Sequence, residues 1–257
     1  MYIVAPKDYM NYNQCIDPSC CGAVYPRSIS ETFQQGDIFT NSCTDNLSVL
    51  YWHYSGFAFL SGFYDECFLE DIYDLLLDKS STISKRFILF TDNTAIEQFF
   101  RAKENVAIER RYFFEYKKEY PVITAKLPEG YRLCEINNEL LQKINGKITP
   151  AFSWDNLNDF LEKGKGYCIV CGNDIAAWAF SAAISSDEID IGIETDSKYR
   201  HLGFAQIVAQ MMIRYCFEQH KAPVWACHAE NTASINLAEK IGFVKSSECF
   251  TIQKAST

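Results

Sequence analysis

Between a strand-like run that ends at Thr195 and a helix-forming run that starts at Phe204 stands the segment Arg200-His201-Leu202-Gly203-Phe204-Ala205. Its residue types suit an anion. Gly203 can take a left-handed backbone and lets a ligand approach the main chain, Ala205 keeps the first helical turn narrow, and the N–H groups of that turn have no partner inside the helix. Arg200, with Lys198 and His201 beside it, adds positive charge and a bidentate donor for a pyrophosphate. A glycine turn solvated by an arginine would explain the same residues. The weight therefore comes from the context of strand, turn and amphipathic helix, and from a second pattern farther along the chain.

The strand leading into this turn, Glu188 to Thr195, carries acid. Alternation places Glu188, Asp190, Gly192 and Glu194 on one face, with Ile189, Ile191 and Ile193 on the other. Charged side chains are rarely buried without a partner, so an acidic face on a central strand points to a wet cavity; solvated carboxylates at a sheet end are the competing explanation. An amine arrives protonated at neutral pH and must lose a proton before it attacks a carbonyl. Asp190 and Glu194 are therefore the candidate bases or ammonium ligands. Two other pairs carry less. Cys227 and His228 are strand neighbours that project to opposite faces and cannot form a dyad, while Cys168 and Cys171 have no second ligand pair, so no metal site is expected.

The second pattern is Trp225-Ala-Cys-His228 as a strand, then Asn231-Thr-Ala-Ser234 opening a helix that ends in Leu237-Ala-Glu-Lys-Ile-Gly242-Phe243. With the R-x-x-G-x-A turn, it resembles the acetyl-coenzyme A (acetyl-CoA) binding core of GNAT N-acyltransferases, over roughly Leu127 to Thr257. Phe152-Ser-Trp-Asp155, Asp190 to Thr195 and Pro223 to His228 further resemble a bacterial subgroup of two-domain GNAT proteins that includes antibiotic-resistance acetyltransferases. The resemblance implies an α/β fold, with a mixed, mostly antiparallel central sheet flanked by helices. It also implies acetyl-CoA as co-substrate and transfer to the primary amine of a small molecule, by direct attack in a ternary complex. The strand bearing Ile193, Glu194 and Thr195 would splay from the strand at Val224 to His228, with backbone atoms of Ile193 and Thr195 bonding the pantetheine arm. The N–H groups of His201, Leu202, Gly203, Phe204 and Ala205, with Arg200, would hold the pyrophosphate, and Asn231 and Ser234 would form the facing wall. Phe152 and Trp154 would lie on the acceptor side or enter the core. One position departs from the pattern. Many members carry Tyr after the Leu that matches Leu237, where it protonates the departing thiolate; here Ala238 excludes that acid. Ala238 keeps a non-catalytic acyl-CoA-binding module as the alternative.

Around this segment, periodicity predicts the positioning elements: a strand from Tyr131, helices around Asn138 to Ile144 and from an Asp155 N-cap to Glu162, strands at Tyr167 to Val170 and Ala176 to Ile184, the helix Phe204 to Glu218, and a last strand from Phe243. The first fifty residues show no clear period. Beyond them one or two strands over Leu47 to Leu60, a helix from Asp65, a strand at Arg86 to Phe90, a helix capped by Asn93 and a strand to Tyr116 predict an N-terminal α/β domain with a mostly parallel or mixed sheet. That order fits a degenerate copy of the same acyltransferase fold without the phosphate turn. The turn-rich Glu119-Tyr-Pro121 and Leu127-Pro-Glu-Gly130 place the boundary between residues 126 and 127. His53 is a weak candidate for an acceptor role.

With 257 residues, two compact units are expected. A net charge of −9 repels phosphate backbones, which argues against nucleic acid as a partner. No run approaches the ~18 apolar residues of a membrane span, and the N-terminus has no secretory pattern. The eleven cysteines, an odd number in apolar surroundings, fit reduced thiols of a cytoplasmic protein.

Overall fold

A computed structural model describes residues 1–41, 47–77, 86–117 and 127–255. The chain forms two compact units: Met1–Phe113 with His228–Glu230 and Ser247–Thr257, and Phe114–Cys227 with Asn231–Ser246. A single cut near residue 126 misses this exchange, because the last strand of the sequence leaves one unit and completes the other. The predicted boundary segment Glu119 to Pro121 lies outside the described residues.

The first unit runs β1 (Tyr2–Ile3), a 3-10 segment (Pro6–Cys15), α1 (Val24–Ser30), β2 (Gly36–Thr40), β3 (Ser48–His53), β4 (Phe57–Gly62), α2 (Glu66–Leu76), β5 (Ile88–Thr91), α3 (Thr94–Arg101) and β6 (Val106–Tyr116), which reaches into the second unit by its last residues. The sheet is the mixed one of the two expected kinds, and mostly antiparallel rather than mostly parallel. β1–β2, β2–β3 and β3–β4 are antiparallel, and only β4–β5, joined through α2, is parallel. The cause is linker length: a turn of three residues after His53 admits only an antiparallel neighbour, whereas a parallel one needs a crossover. α2 starts where the Asp65 carboxylate accepts from Phe68 N at 2.8 Å, and it turns Phe68, Leu69, Ile72 and Leu76 onto Trp52, Leu89 and Ile252.

The second unit runs β7 (Tyr131–Glu135), α4 (Asn138–Leu141), α5 (Pro150–Ser153), α6 (Leu157–Lys163), β8 (Gly166–Cys171), β9 (Asp174–Ile184), β10 (Glu188–Thr195), α7 (Phe204–Glu218), β11 (Ala222–His228), α8 (Thr232–Ile241) and the start of β12 (Phe243–Lys254). Its pairing repeats the first unit's: β7–β8, β8–β9 and β9–β10 antiparallel, then β10–β11 parallel. α6 is capped by Asn156, which accepts from Asn158 N at 2.9 Å, and not by Asp155. The amide takes the place predicted for the carboxylate one residue earlier because either side chain can satisfy an orphan N–H. α7 lies across β8, β9 and β10 and buries Phe204, Ile207, Val208, Met212, Ile213 and Cys216.

Residues Ser247 to Lys254 of β12 belong to the first unit, where β12 pairs antiparallel with β5 from Phe250↔Thr91 to Gln253↔Ile88.

Candidate active site

β10 and β11 are paired only at Glu188↔Ala222, Ile189↔Pro223 and Asp190↔Val224. Beyond Asp190 a bulge between Asp190 and Ile191 shifts β10 relative to β9, and the two parallel strands part. A cleft of about 640 Å³ opens there. Its walls are the end of β10, the turn into α7, Trp225 of β11 and one stripe of α8, namely Ala233, Leu237 and Lys240. The residue skipped at the β9–β10 shift is Ala182 of β9, and on β10 it is the parting from β11, not alternation, that decides which side chains meet the cleft. Ile193 and Glu194, consecutive residues, both line the cleft, and Asp190, 6% exposed, does not.

The turn has the backbone of an anion cradle. His201 (φ 64°) and Gly203 (φ 79°) are left-handed on either side of Leu202, which is not, and N–H groups of a turn with such alternation can form an anion-binding concavity. His201 bears the cost of a side chain in that region, of order 1–2 kcal/mol. α7 opens at Gly203 without a capping side chain, whereas α2, α3 and α8 each open with one. The orphan N–H groups of α7 are thus left to face a ligand, in the positive field of a helix start. A Cβ placed on Gly203 would meet no atom within 4 Å, so the backbone there is open to close approach. Arg200 and Lys240 add positive charge to the same cleft.

Hydrogen bonds fix the walls. Asn231 accepts from Ser234 N at 3.1 Å and so caps α8, and Ser234 Oγ accepts from Trp225 Nε1 at 3.0 Å. Tyr199 donates its phenol to Asp174 Oδ2 at 2.9 Å, a bond that pushes its pKa up to about 12 and commits its proton. Glu194 Oε2 accepts from Ile148 N at 2.7 Å, while Trp178 Nε1 donates to Ile148 O at 2.7 Å. Carboxylate and indole thus hold the loop at Gly146 to Ile148 against the mouth of the strand. The loop comes that close because residue 146 has no side chain: a Cβ there would lie 2.4 Å from Glu194 Oε2 and 2.6 Å from Trp178 Cζ2.

Of the residues expected to touch the cofactor, all but Leu202 line this cleft; Leu202 is 51% exposed and points elsewhere. Trp154 is 2% exposed, donates to Ser181 O at 2.9 Å and packs on Phe160, which makes it a core residue. His53 is fully buried, with Nδ1 2.8 Å from Ser55 Oγ, and cannot meet an acceptor. Cys227 is buried while His228 faces Glu109 at 3.3 Å, so the two form no dyad. Ala238 is fully buried and does not line the cleft. Sequence reasoning missed Tyr199, Gln206, Trp225, Ala233, Leu237 and Lys240 as wall residues. For Lys240 the signal existed, since 233, 237 and 240 form one stripe of α8.

The first unit has a cleft in the same topological position. β4 and β5 pair at three positions, Phe57↔Ile88 to Phe59↔Phe90, and then part around a cavity of about 260 Å³ lined by Leu60, Ser61, Gly62, Thr91 and Asp92. Its chemistry is reversed. The helix that follows, α2, is capped by Asp65 and continues with Glu66, so negative charge occupies the place where α7 offers free N–H groups.

A family model described as GNAT acetyltransferase matches residues 22–251. The chain belongs to this family. It is therefore an acyltransferase, and the match extends through both units rather than the second alone. Uncharacterized N-acetyltransferase YdfB of Bacillus subtilis (strain 168) is 26% identical over 241 residues, 92% of each chain. Among solved structures, a GCN5-related N-acetyltransferase-like protein from Streptococcus suis 89/1591 superposes with a TM-score of 0.75 at 21% identity, covering 97% of this chain and 100% of that one. A tandem GNAT protein from the clavulanic acid biosynthesis pathway matches with a TM-score of 0.63 at 9% identity, over 99% and 98% of the two chains. The fold shared with a tandem GNAT protein agrees with the strand order that this chain repeats. No helix among the described residues is long and apolar enough to cross a membrane.

Proposed function

We propose that the chain transfers the acetyl group of acetyl-CoA to the primary amine of a small molecule, by direct attack within a ternary complex at the second unit's cleft. The observation that carries this reading is the uncapped start of α7, with its two left-handed residues and open backbone, inside a cleft that also holds Arg200 and Lys240. That set fits a diphosphate. Bound there, acetyl-CoA supplies a thioester as electrophile.

The roles of this chain's residues follow from their places. The N–H groups from His201 to Gln206, Arg200 and Lys240 hold the anionic part, and the parted edge of β10 at Ile193 and Thr195 offers backbone groups to an extended arm. Glu194 is the carboxylate that reaches the cleft, and it orients an ammonium group or takes its proton. Asp190, closed in the sheet, supports the strand instead. Tyr199 and Trp225 line the cleft but donate their hydrogen bonds to Asp174 and Ser234, so neither is a proton donor to a departing thiolate. A thiol with a pKa of about 8.5 leaves without one.

The test is thiol release from acetyl-CoA across a panel of small amines. Release that depends on the amine is expected. Calorimetric binding of acetyl-CoA with no release for any amine would favour a non-catalytic binding module.

A further inference from the structure

Trp178 is the one large ring in the run Ala176-Ala177-Trp178-Ala179 of β9, and it is 1% exposed. A site that needs only volume can take a phenyl ring, whereas a buried indole N–H needs an acceptor. The acceptor here is Ile148 O, at 2.7 Å, on the loop between α4 and α5 rather than on a neighbouring strand. The same residue gives its N–H to Glu194 Oε2, also at 2.7 Å. Glu194 and Trp178 are direct partners in the β9–β10 ladder, so their side chains leave the sheet side by side on one face. Both main-chain groups of Ile148 are thus bonded by one cross-strand pair of side chains. Little else holds this stretch of loop. Among the described residues, Asn145 to Ile148 make no hydrogen bond from main chain to main chain, and no other hydrogen bond reaches the Glu194 carboxylate. One oxygen of Glu194 is therefore held by the loop and the other is left for a ligand. Glu194 lines the cleft, and Trp178 does not.

We propose that Trp178 is a positioning residue for acetyl transfer, which fixes the orientation of Glu194 through the main-chain groups of Ile148 without touching a ligand. The inference rests on the reading of Glu194 as the carboxylate that handles the acceptor amine. Without the indole N–H, Ile148 O loses its tether and the loop is free to leave the sheet. Glu194 Oε2 then loses the N–H that selects one rotamer of its side chain. The rotamer freedom of a glutamate is worth about 10- to 30-fold in a rate that requires a single arrangement. Acetyl-CoA has no part in this clasp, so its affinity does not depend on it.

Trp178→Phe deletes the N–H and keeps a ring in the core. A 3-benzothienylalanine at position 178, introduced by nonsense suppression, keeps the whole outline of the indole with sulfur in place of N–H, and so separates the hydrogen bond from any loss of folding. With the small amine that releases thiol fastest in the panel, kcat/KM should fall about 10- to 30-fold in both. Calorimetric affinity for acetyl-CoA should be unchanged, and the acidic limb of the pH profile should persist, because the base is present but misplaced. In a Glu194→Gln background the same replacements should cost almost nothing, since a residue that acts through the carboxylate has nothing left to orient. A readout independent of turnover is amide exchange at Ile148, which should speed up when the Trp178 donor is lost. Unchanged Ile148 exchange, a wild-type rate in the benzothienyl protein, loss of acetyl-CoA affinity, or an equal loss of rate in the wild-type and Glu194→Gln backgrounds would each overturn the proposal while leaving Glu194 in its role. A wild-type rate for Glu194→Gln alone would remove the reading of Glu194 and the proposal with it.

Discussion

Replacing Gly203 by Asp tests whether the start of α7 binds a diphosphate. Two effects must be separated. Any L side chain at φ 79° is strained, and this costs of order 1–2 kcal/mol of stability whatever its charge. Because a Cβ at this position meets no atom within 4 Å, that strain is the whole steric effect. Gly203→Ala therefore isolates it, with an expected loss of about 2–8 °C in Tm and little loss of affinity. Gly203→Asp adds a charge over the free N–H groups. A unit charge about 6 Å from a phosphate charge costs about 3 kcal/mol at an effective dielectric of 20 and about 0.7 kcal/mol in bulk water. Coenzyme A affinity should thus fall about 3- to 100-fold below that of Gly203→Ala, and the gap should narrow in 1 M salt, where the Debye length is about 3 Å. Isothermal titration calorimetry at low and high salt reads both numbers. If the folded Gly203→Asp protein binds coenzyme A as tightly as Gly203→Ala does, the diphosphate is not at this turn and the cleft assignment fails.

Glu194→Gln keeps an oxygen to accept from Ile148 N but removes the charge, so kcat/KM should fall about 10²- to 10⁴-fold with loss of the acidic limb of its pH profile, while Asp190→Asn keeps that limb; unchanged profiles in both would put proton removal elsewhere. Gly146→Ala sets a methyl group against Glu194 and Trp178, and acceptor turnover should drop toward the Glu194→Gln level with coenzyme A affinity retained; full activity would mean that the loop yields at no functional cost. Ser234→Ala strands the indole N–H of Trp225, which should lower stability in urea by about 1–3 kcal/mol. Of the four tryptophans, all buried, Trp225 lines the cleft, so the fluorescence change on coenzyme A binding should vanish in Trp225→Phe, and its persistence there would place the ligand away from β11.

Much of the second unit was legible in the sequence. The bounds of Glu188 to Thr195, Phe204 to Glu218 and Thr232 to Ile241 are the observed ones, because each of these runs has a clear period and is bounded by turn or capping residues such as Gly203, Asn231 and Gly242. What periodicity cannot carry is a break in itself. The register shift opposite Asp190 and Ile191, where Ala182 of β9 is skipped, leaves no mark in the β10 pattern, and the parting of β10 from β11 just beyond Asp190 decides that Glu194 meets the cleft and Asp190 does not. Nor does a local pattern reveal a distant partner. β12 reads as an ordinary final strand, and nothing in its residues says that its second half pairs with β5. The 3-10 segment at Pro6 to Cys15 and the helix at Val24 to Ser30 escaped for a third reason, that short irregular elements held by Tyr and Ser side chains have too few turns to show a period.

The late arrival of β12 sets the timing of the first unit during synthesis. At about 5–20 residues per second a ribosome delivers Phe250 some 10–30 s after Thr91, its partner in the sheet. Throughout that interval the nascent chain presents the edge of β5 with its β12 ladder bonds unmade, a surface that invites pairing with other chains. Thr91 and Phe90 can be shielded only by a chaperone or by whatever segment has already emerged, and a transcript truncated anywhere before the codon for Ser247 releases a product whose first half can never finish.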